Sequence, residues 1–171
     1  MKVENPRLKL WLVGLALFAV LIVLGIWLER SASVGIVDHQ LAGDAATVDA
    51  IQAQWRDEGV RWLAIVSMLG DLVFIGAYGW GAWIAGRSFV ALGNGPVRLI
   101  GWIVAVAAAV FLFTDYAETI LQFVQLMRED GSDSTAAPAA AMQNPKKFAW
   151  VATFVGVIAA LVIRRFARPR A

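Results

Sequence analysis

The chain has 171 residues, 60% of them hydrophobic and only 16% charged, and its mean hydropathy is +0.67. Soluble domains carry about a quarter charged residues, so this composition excludes an ordinary soluble fold. The lack of cysteine excludes disulfides, thiolate catalysis and Cys-rich zinc or iron–sulfur centres, and the net charge of +2 gathers beside apolar segments rather than on a nucleic-acid-binding face.

Four long apolar runs, residues 10–28, 62–85, 99–126 and 148–163, organise the chain. The first three reach the ~20 residues that a helix needs to cross a hydrocarbon core about 30 Å thick. The fourth is shorter, and Lys147 and Arg164 at its ends can snorkel to the two surfaces. The first run has a basic start and Ser31-Ala32-Ser33 beyond it, as a secretory signal would. Its apolar core exceeds the usual ~7–15 residues of a signal, so it is expected to stay as an anchor. The loop that follows is long for a compact domain and is expected to be structured. Asp44 is placed to cap an amphipathic helix over 45–58, with Val48, Ile51 and Trp55 on one face and Gly59 as its stop. This helix is expected to pack on the bundle or lie on the membrane surface, with Trp55 as anchor.

The Gly93-Asn94-Gly95-Pro96 turn makes the second and third runs an antiparallel hairpin. The segment 128–147, with Gly131-Ser132-Asp133-Ser134 and an Ala/Pro-rich stretch up to Asn144-Pro145, reads as flexible and poor in chemistry. Trp11, Trp27, Trp62, Trp83, Trp102 and Trp150 fall near segment ends, where amphipathic rings favour the interface. No repeat with matching broken helices is visible. Residues 1–171 are therefore expected to form one all-α domain, a four-transmembrane-helix antiparallel bundle with a short amphipathic helix in the first outer loop.

Charge sets the expected orientation. Lys2, Arg7, Lys9, Arg87, Arg98, Arg164, Arg165, Arg168 and Arg170 lie on one side, with Glu4 as the single acid, whereas the two other loops hold six basic and nine acidic residues. The positive-inside rule puts both termini in the cytoplasm and the protein in the inner membrane. The arginine-rich tail reads as a contact for anionic headgroups, and no nucleic acid is expected as a partner.

The third run carries Asp115, Glu118, Gln122 and Gln125, spaced to share one helix face. An acid at mid-bilayer costs roughly +2.5 to +3.5 kcal/mol on insertion scales, so such a stripe is expected to face other helices or a cavity. In the second run Ser67, Asp71 and Tyr78 share a face, and Ala77, Gly81 and Ala85 provide the small residues that let helices approach closely. Packed antiparallel, the two runs bring Asp71, Asp115 and Glu118 together in the outer half of the bundle. No Lys or Arg lies at that depth within the four apolar runs, so the acids are expected to hold a proton, a metal ion or a cationic ligand. Tyr78 and Gln122 are expected to complete this binding site, with Tyr116, Thr114, Thr119 and Ser67 as further hydrogen-bonding groups. His39, the single histidine, sits in the first outer loop within reach of the mouth. Asp115-x-x-Glu118 is half of a carboxylate metal motif, without the customary Glu-x-x-His partner. No cofactor loop is present.

Gln40-Leu41-Ala42-Gly43, Ile51 to Trp55, Gly70-Asp71-Leu72-Val73-Phe74 with Tyr78, and Asp115-Tyr116-Ala117-Glu118 together resemble a group of bacterial four-helix membrane proteins without an assigned activity. The shared features are a Leu-Ala-Gly loop, an Ile-x-x-x-Trp loop helix, Asp-x-x-Phe-x-x-x-Tyr in the second helix and Asp-x-x-Glu in the third. Thr119 stands where that group often has Asn. The resemblance spans most of the chain and implies the architecture and the choice of residues, not a reaction.

Three functions follow as expectations. The first is binding or transport through an acid-lined pocket that takes a proton, a cation or a small lipophilic ligand. The second is a membrane enzyme on a lipid-like substrate, with Asp71 and Asp115 or Glu118 as acid and base. The third is an interaction protein that assembles with a larger membrane partner, or with itself, through its small-residue faces.

Overall fold

The computed structural model describes residues 5–166; Lys2, Glu4, Arg168 and Arg170 of the charge pattern lie outside the described residues. The described chain is helical throughout, without a strand. It runs α1 (Lys9–Ser31), α2 (Ile36–Leu41), α3 (Ala45–Asp57), α4 (Arg61–Leu92), α5 (Gly95–Arg128), α6 (Asp133–Ala141) and α7 (Gln143–Phe166). Four stretches are long and apolar enough to cross a membrane, based on α1, α4, α5 and α7. Large apolar side chains such as Val23, Val73, Phe113 and Val155 point outward from all four, the pattern of a bundle that meets lipid rather than water.

The α4–α5 hairpin is the centre, with α1 laid against α4 and α7 against α5. Pro96 in the first turn of α5 costs no hydrogen bond, because that N–H would be unpaired anyway. With 32 and 34 residues, α4 and α5 are about 48 and 51 Å long at 1.5 Å per residue, well beyond a ~30 Å core. At one end Leu63, Ala64 and Met68 of α4 and Leu126 of α5 join a cap formed with α2, α3 and α6. Close approach of the two long helices depends on glycine: a Cβ on Gly86 would sit 2.7 Å from Ala105 N and 2.8 Å from Gly101 O. A Cβ on Gly81 would collide with the backbone of Trp11 in α1. That approach draws the Trp11 ring into the core, 2% exposed, away from the lipid interface expected for it. Trp27, Trp62 and Trp102 do stay exposed.

α1 and α7 meet across the bundle through aromatic rings, Phe18 with Trp150 at 5.3 Å and Trp11 with Phe154 at 6.0 Å between centroids. These join Phe74, Tyr78 and Phe111 in one aromatic core.

The cap has its own core around Leu28, Val48, Ile51, Trp55, Leu63 and Leu126. Asp44 caps α3 by accepting from Thr47 N at 2.8 Å, and Gly59, at φ +71°, turns the chain into α4 where a side chain would be strained. Trp55 is fully buried, and its indole donates to Val34 O at 2.9 Å. Thus α3 packs on the bundle and Trp55 is not a membrane anchor.

The segment 128–147 departs most from its flexible reading. It forms α6, and α7 begins at Gln143, five residues before the expected 148. Asp49 Oδ1 accepts from Gly131 N at 2.6 Å, Asp133 Oδ1 accepts from Ala45 N at 2.7 Å, and Arg56 and Arg61 both pair with Glu129. These bonds tie the segment to α3 and to the start of α4.

Candidate functional site

The acids project from two helices toward α7, beneath the cap. Asp71 of α4 accepts a 2.8 Å hydrogen bond at Oδ2 from the Thr119 hydroxyl of α5. Asp115 and Glu118, one turn apart on α5, are buried, at 3% and 0% exposure. Gln122, one turn further on, turns its amide toward Glu118 Oε1 at 3.4 Å.

The expectation that the acids have no built-in cation is corrected by Lys146. Its ammonium lies 2.8 Å from Glu118 Oε1 and 3.2 Å from Asp115 Oδ1. The side chain comes from the first turn of α7, in the stretch read from sequence as a flexible loop. Gln143, one turn earlier, donates to the same Glu118 oxygen at 2.7 Å. Glu118 therefore meets the N-terminal end of α7, where the helix dipole also favours a negative charge. Its second oxygen is buried without a hydrogen-bond partner.

Lys146 reaches two of the three carboxylates. Asp71 is left with the Thr119 hydroxyl at Oδ2 and no ion-pair partner among the described residues. Among the described residues Lys146 is the one ammonium within ion-pair distance of these carboxylates, and Lys147 stands further off in the wall of a cavity beside Asp71, so with every group ionised the cluster itself carries an excess of negative charge.

Two cavities adjoin this cluster under α2. One, of about 340 Å³, runs between α1, α2, α4 and α5 and is polar at Ser67, Asp71, Thr119 and Gln122. The other, of about 400 Å³, lies on the α7 side and reaches Asp71, Asp115, Lys146 and Lys147. Asp71, with Phe18, Val37 and Gln40, belongs to the wall of both.

The remaining candidates lie elsewhere. Tyr78 is fully buried two turns along α4, its hydroxyl 2.8 Å from Thr153 Oγ1 and 3.2 Å from Trp150 O of α7. It locks α4 to α7 and makes no hydrogen bond with the acids. Tyr116 likewise donates to Leu72 O at 3.2 Å. His39 is not at the mouth: it is 1% exposed, stacked on Trp55 at 5.1 Å, with Gln52 Nε2 at 3.2 Å from its Nε2. Burial lowers its pKa from the usual 6.5 to about 4, so near neutrality the ring is uncharged and accepts from the Gln52 amide. Among the described residues no group of three or more His, Asp and Glu side chains is placed to hold a metal ion.

Sequence reasoning missed Lys146 and Gln143. The available signal was Asn144-Pro145, readable as the first turn of a helix, since proline is tolerated there. That reading puts Lys146 in the first turn of the helix. No protein-family profile, curated protein or solved structure matches the chain.

Proposed function

We propose that this protein binds, and in doing so carries or senses, a proton or a small cationic ligand in an acid-lined pocket within the membrane. The observation that supports this reading is Asp71: a carboxylate in the wall of two cavities, without the ion-pair partner that its two neighbours have. A charge is rarely kept at such a place for packing alone, because replacing it with a neutral isostere removes a desolvation cost. On the charge asymmetry of the loops, the protein sits in the inner membrane with both termini in the cytoplasm, and the cap with its cavities faces outward.

The test is thermal unfolding of the purified protein and of Asp71→Asn across pH 5–8 and a panel of monovalent and divalent cations. The variant is expected to be the more stable of the two without added ligand. Wild type alone is expected to gain stability with a cation, and its midpoint should change with pH beyond the slope that His39 gives both proteins below pH 6.5. Identical responses from the two proteins would remove Asp71, and with it this function.

A further inference from the structure

Resting on that reading, we infer that the ligand is a single-chain amphiphile with a protonated amine head, its ammonium at Asp71 and its chain along α1. The polar side of the 340 Å³ cavity carries one carboxylate and several neutral acceptors, with the amides of Gln40 and Gln122 and the Ser67 hydroxyl as the donors beside them. The Thr119 hydroxyl occupies Asp71 Oδ2, which leaves Oδ1 free of hydrogen bonds. Ser67, only 7% exposed, lines the same cavity, and its Oγ is buried without a partner. Gln122 gives one amide N–H to Glu118, which leaves its carbonyl oxygen as an acceptor beside its second N–H. A primary ammonium carries three N–H donors and no acceptor, which matches this set in number and charge. A carboxylate or phosphate head would be repelled by Asp71, and a hydroxyl head offers one donor and leaves the charge unpaired.

The rest of the cavity sets the other half of the ligand. Its walls are Leu21, Ile22 and Ile26 of α1, Ile36 and Val37 of α2, and Met68 of α4. An inorganic cation would leave this volume unfilled, whereas one alkyl chain fills it and removes apolar surface from contact with water at the cap. Glu29 stands at the α1 end of the same cavity, so the route from the cap to Asp71 has acids at both ends and no described basic residue between.

Gly25 supplies a clean test. It lines the cavity, and a Cβ there meets no atom within 4 Å, so Gly25→Leu enters the apolar part of the cavity from a position with room for its first carbon. The full-length protein in phosphatidylcholine nanodiscs is titrated with dodecylamine, dodecanol and dodecanoate, and thermal midpoints are read. Dodecylamine is expected to raise the wild-type midpoint by several degrees, with dodecanoate inert and dodecanol weak. Asp71→Asn is expected to weaken the dodecylamine response at least tenfold in concentration. Ser67→Ala, which loses one hydrogen bond to a charged group, is expected to weaken it about tenfold or more. Gly25→Leu is expected to lose the dodecylamine response while its response to simple cations or to pH survives. If wild type answers to cations or pH but not to dodecylamine, or answers equally to dodecanol, the amine amphiphile is wrong and the acid-lined pocket stands. If wild type and Asp71→Asn respond alike to every probe, both fall.

Discussion

Lys146 is the residue on which the charge balance turns. Its side chain is 12% exposed and faces partners that are 4% and 0% exposed, so Lys146→Met leaves two buried carboxylates without their cation. Breaking such a pair from one side costs about 3–5 kcal/mol. Denaturant unfolding should show a loss of that size, and adding Glu118→Gln to Lys146→Met should recover much of it. His39 makes a separate expectation. The unfolded chain takes up a proton near pH 6.5 and the folded one only near 4. Between those values the unfolded state binds more protons, so stability is whole above 6.5 and falls as the pH drops toward 4, by about 3 kcal/mol at most. The pH slope of stability over that window should shrink in His39→Gln, whatever the absolute stability of the variant. The acids were legible in the sequence because a charged stripe inside an apolar run stands out by its cost. Lys146 was not, because a lysine at a segment edge looks like any interfacial lysine until a neighbouring helix brings carboxylates to it.

At the scale of elements, the hairpin depends on an absent side chain. Gly86→Val would push α4 and α5 apart where Gly86 lies against Ala105 and Gly101, and overpacking of this kind costs about 1–3 kcal/mol. Gly25→Val, on open space, should cost far less, and the two unfolding midpoints compared in one detergent check the claim. The long helices were readable from hydropathy, and so was α3, since Asp44 and Gly59 mark its ends. The bounds of α4 and α5 were underestimated mainly at the turn, where 86–92 and 95–98 stay helical although Gly86, Arg87 and Arg98 look like loop residues in the sequence; at the cap end only one and two residues are added. α2 and α6, with six and nine residues, have too few turns to show a period. Both are held by contacts with other parts of the cap, which a linear pattern does not display.

For the molecule as a whole, the α4–α5 turn lies at one end and the cap at the other, with α1 and α7 running the length between. The chain contains no cysteine, so single cysteines can be introduced without removing native ones. On the proposed orientation, a cysteine at Ser134 in α6 should react with an impermeant maleimide on intact cells, and one at Asn94 in the turn only after lysis. The reverse pattern would place the cap and its cavities on the cytoplasmic side. The four-helix plan was legible at this scale because lipid demands long uninterrupted apolar helices, whereas the partition of the interior into two cavities around Asp71 depends on how helices tilt and which rings meet.

The position of Lys146 in the last helix has a consequence for how the protein is made. Synthesis delivers α1, then α4 and α5, and only afterwards α7. Asp71, Asp115 and Glu118 are thus committed to the growing bundle before their counter-charge has left the ribosome. Until α7 arrives, Asp115 and Glu118 lack the ammonium that pairs with both in the finished fold. A chain truncated before Lys146 would keep those two acids without that partner.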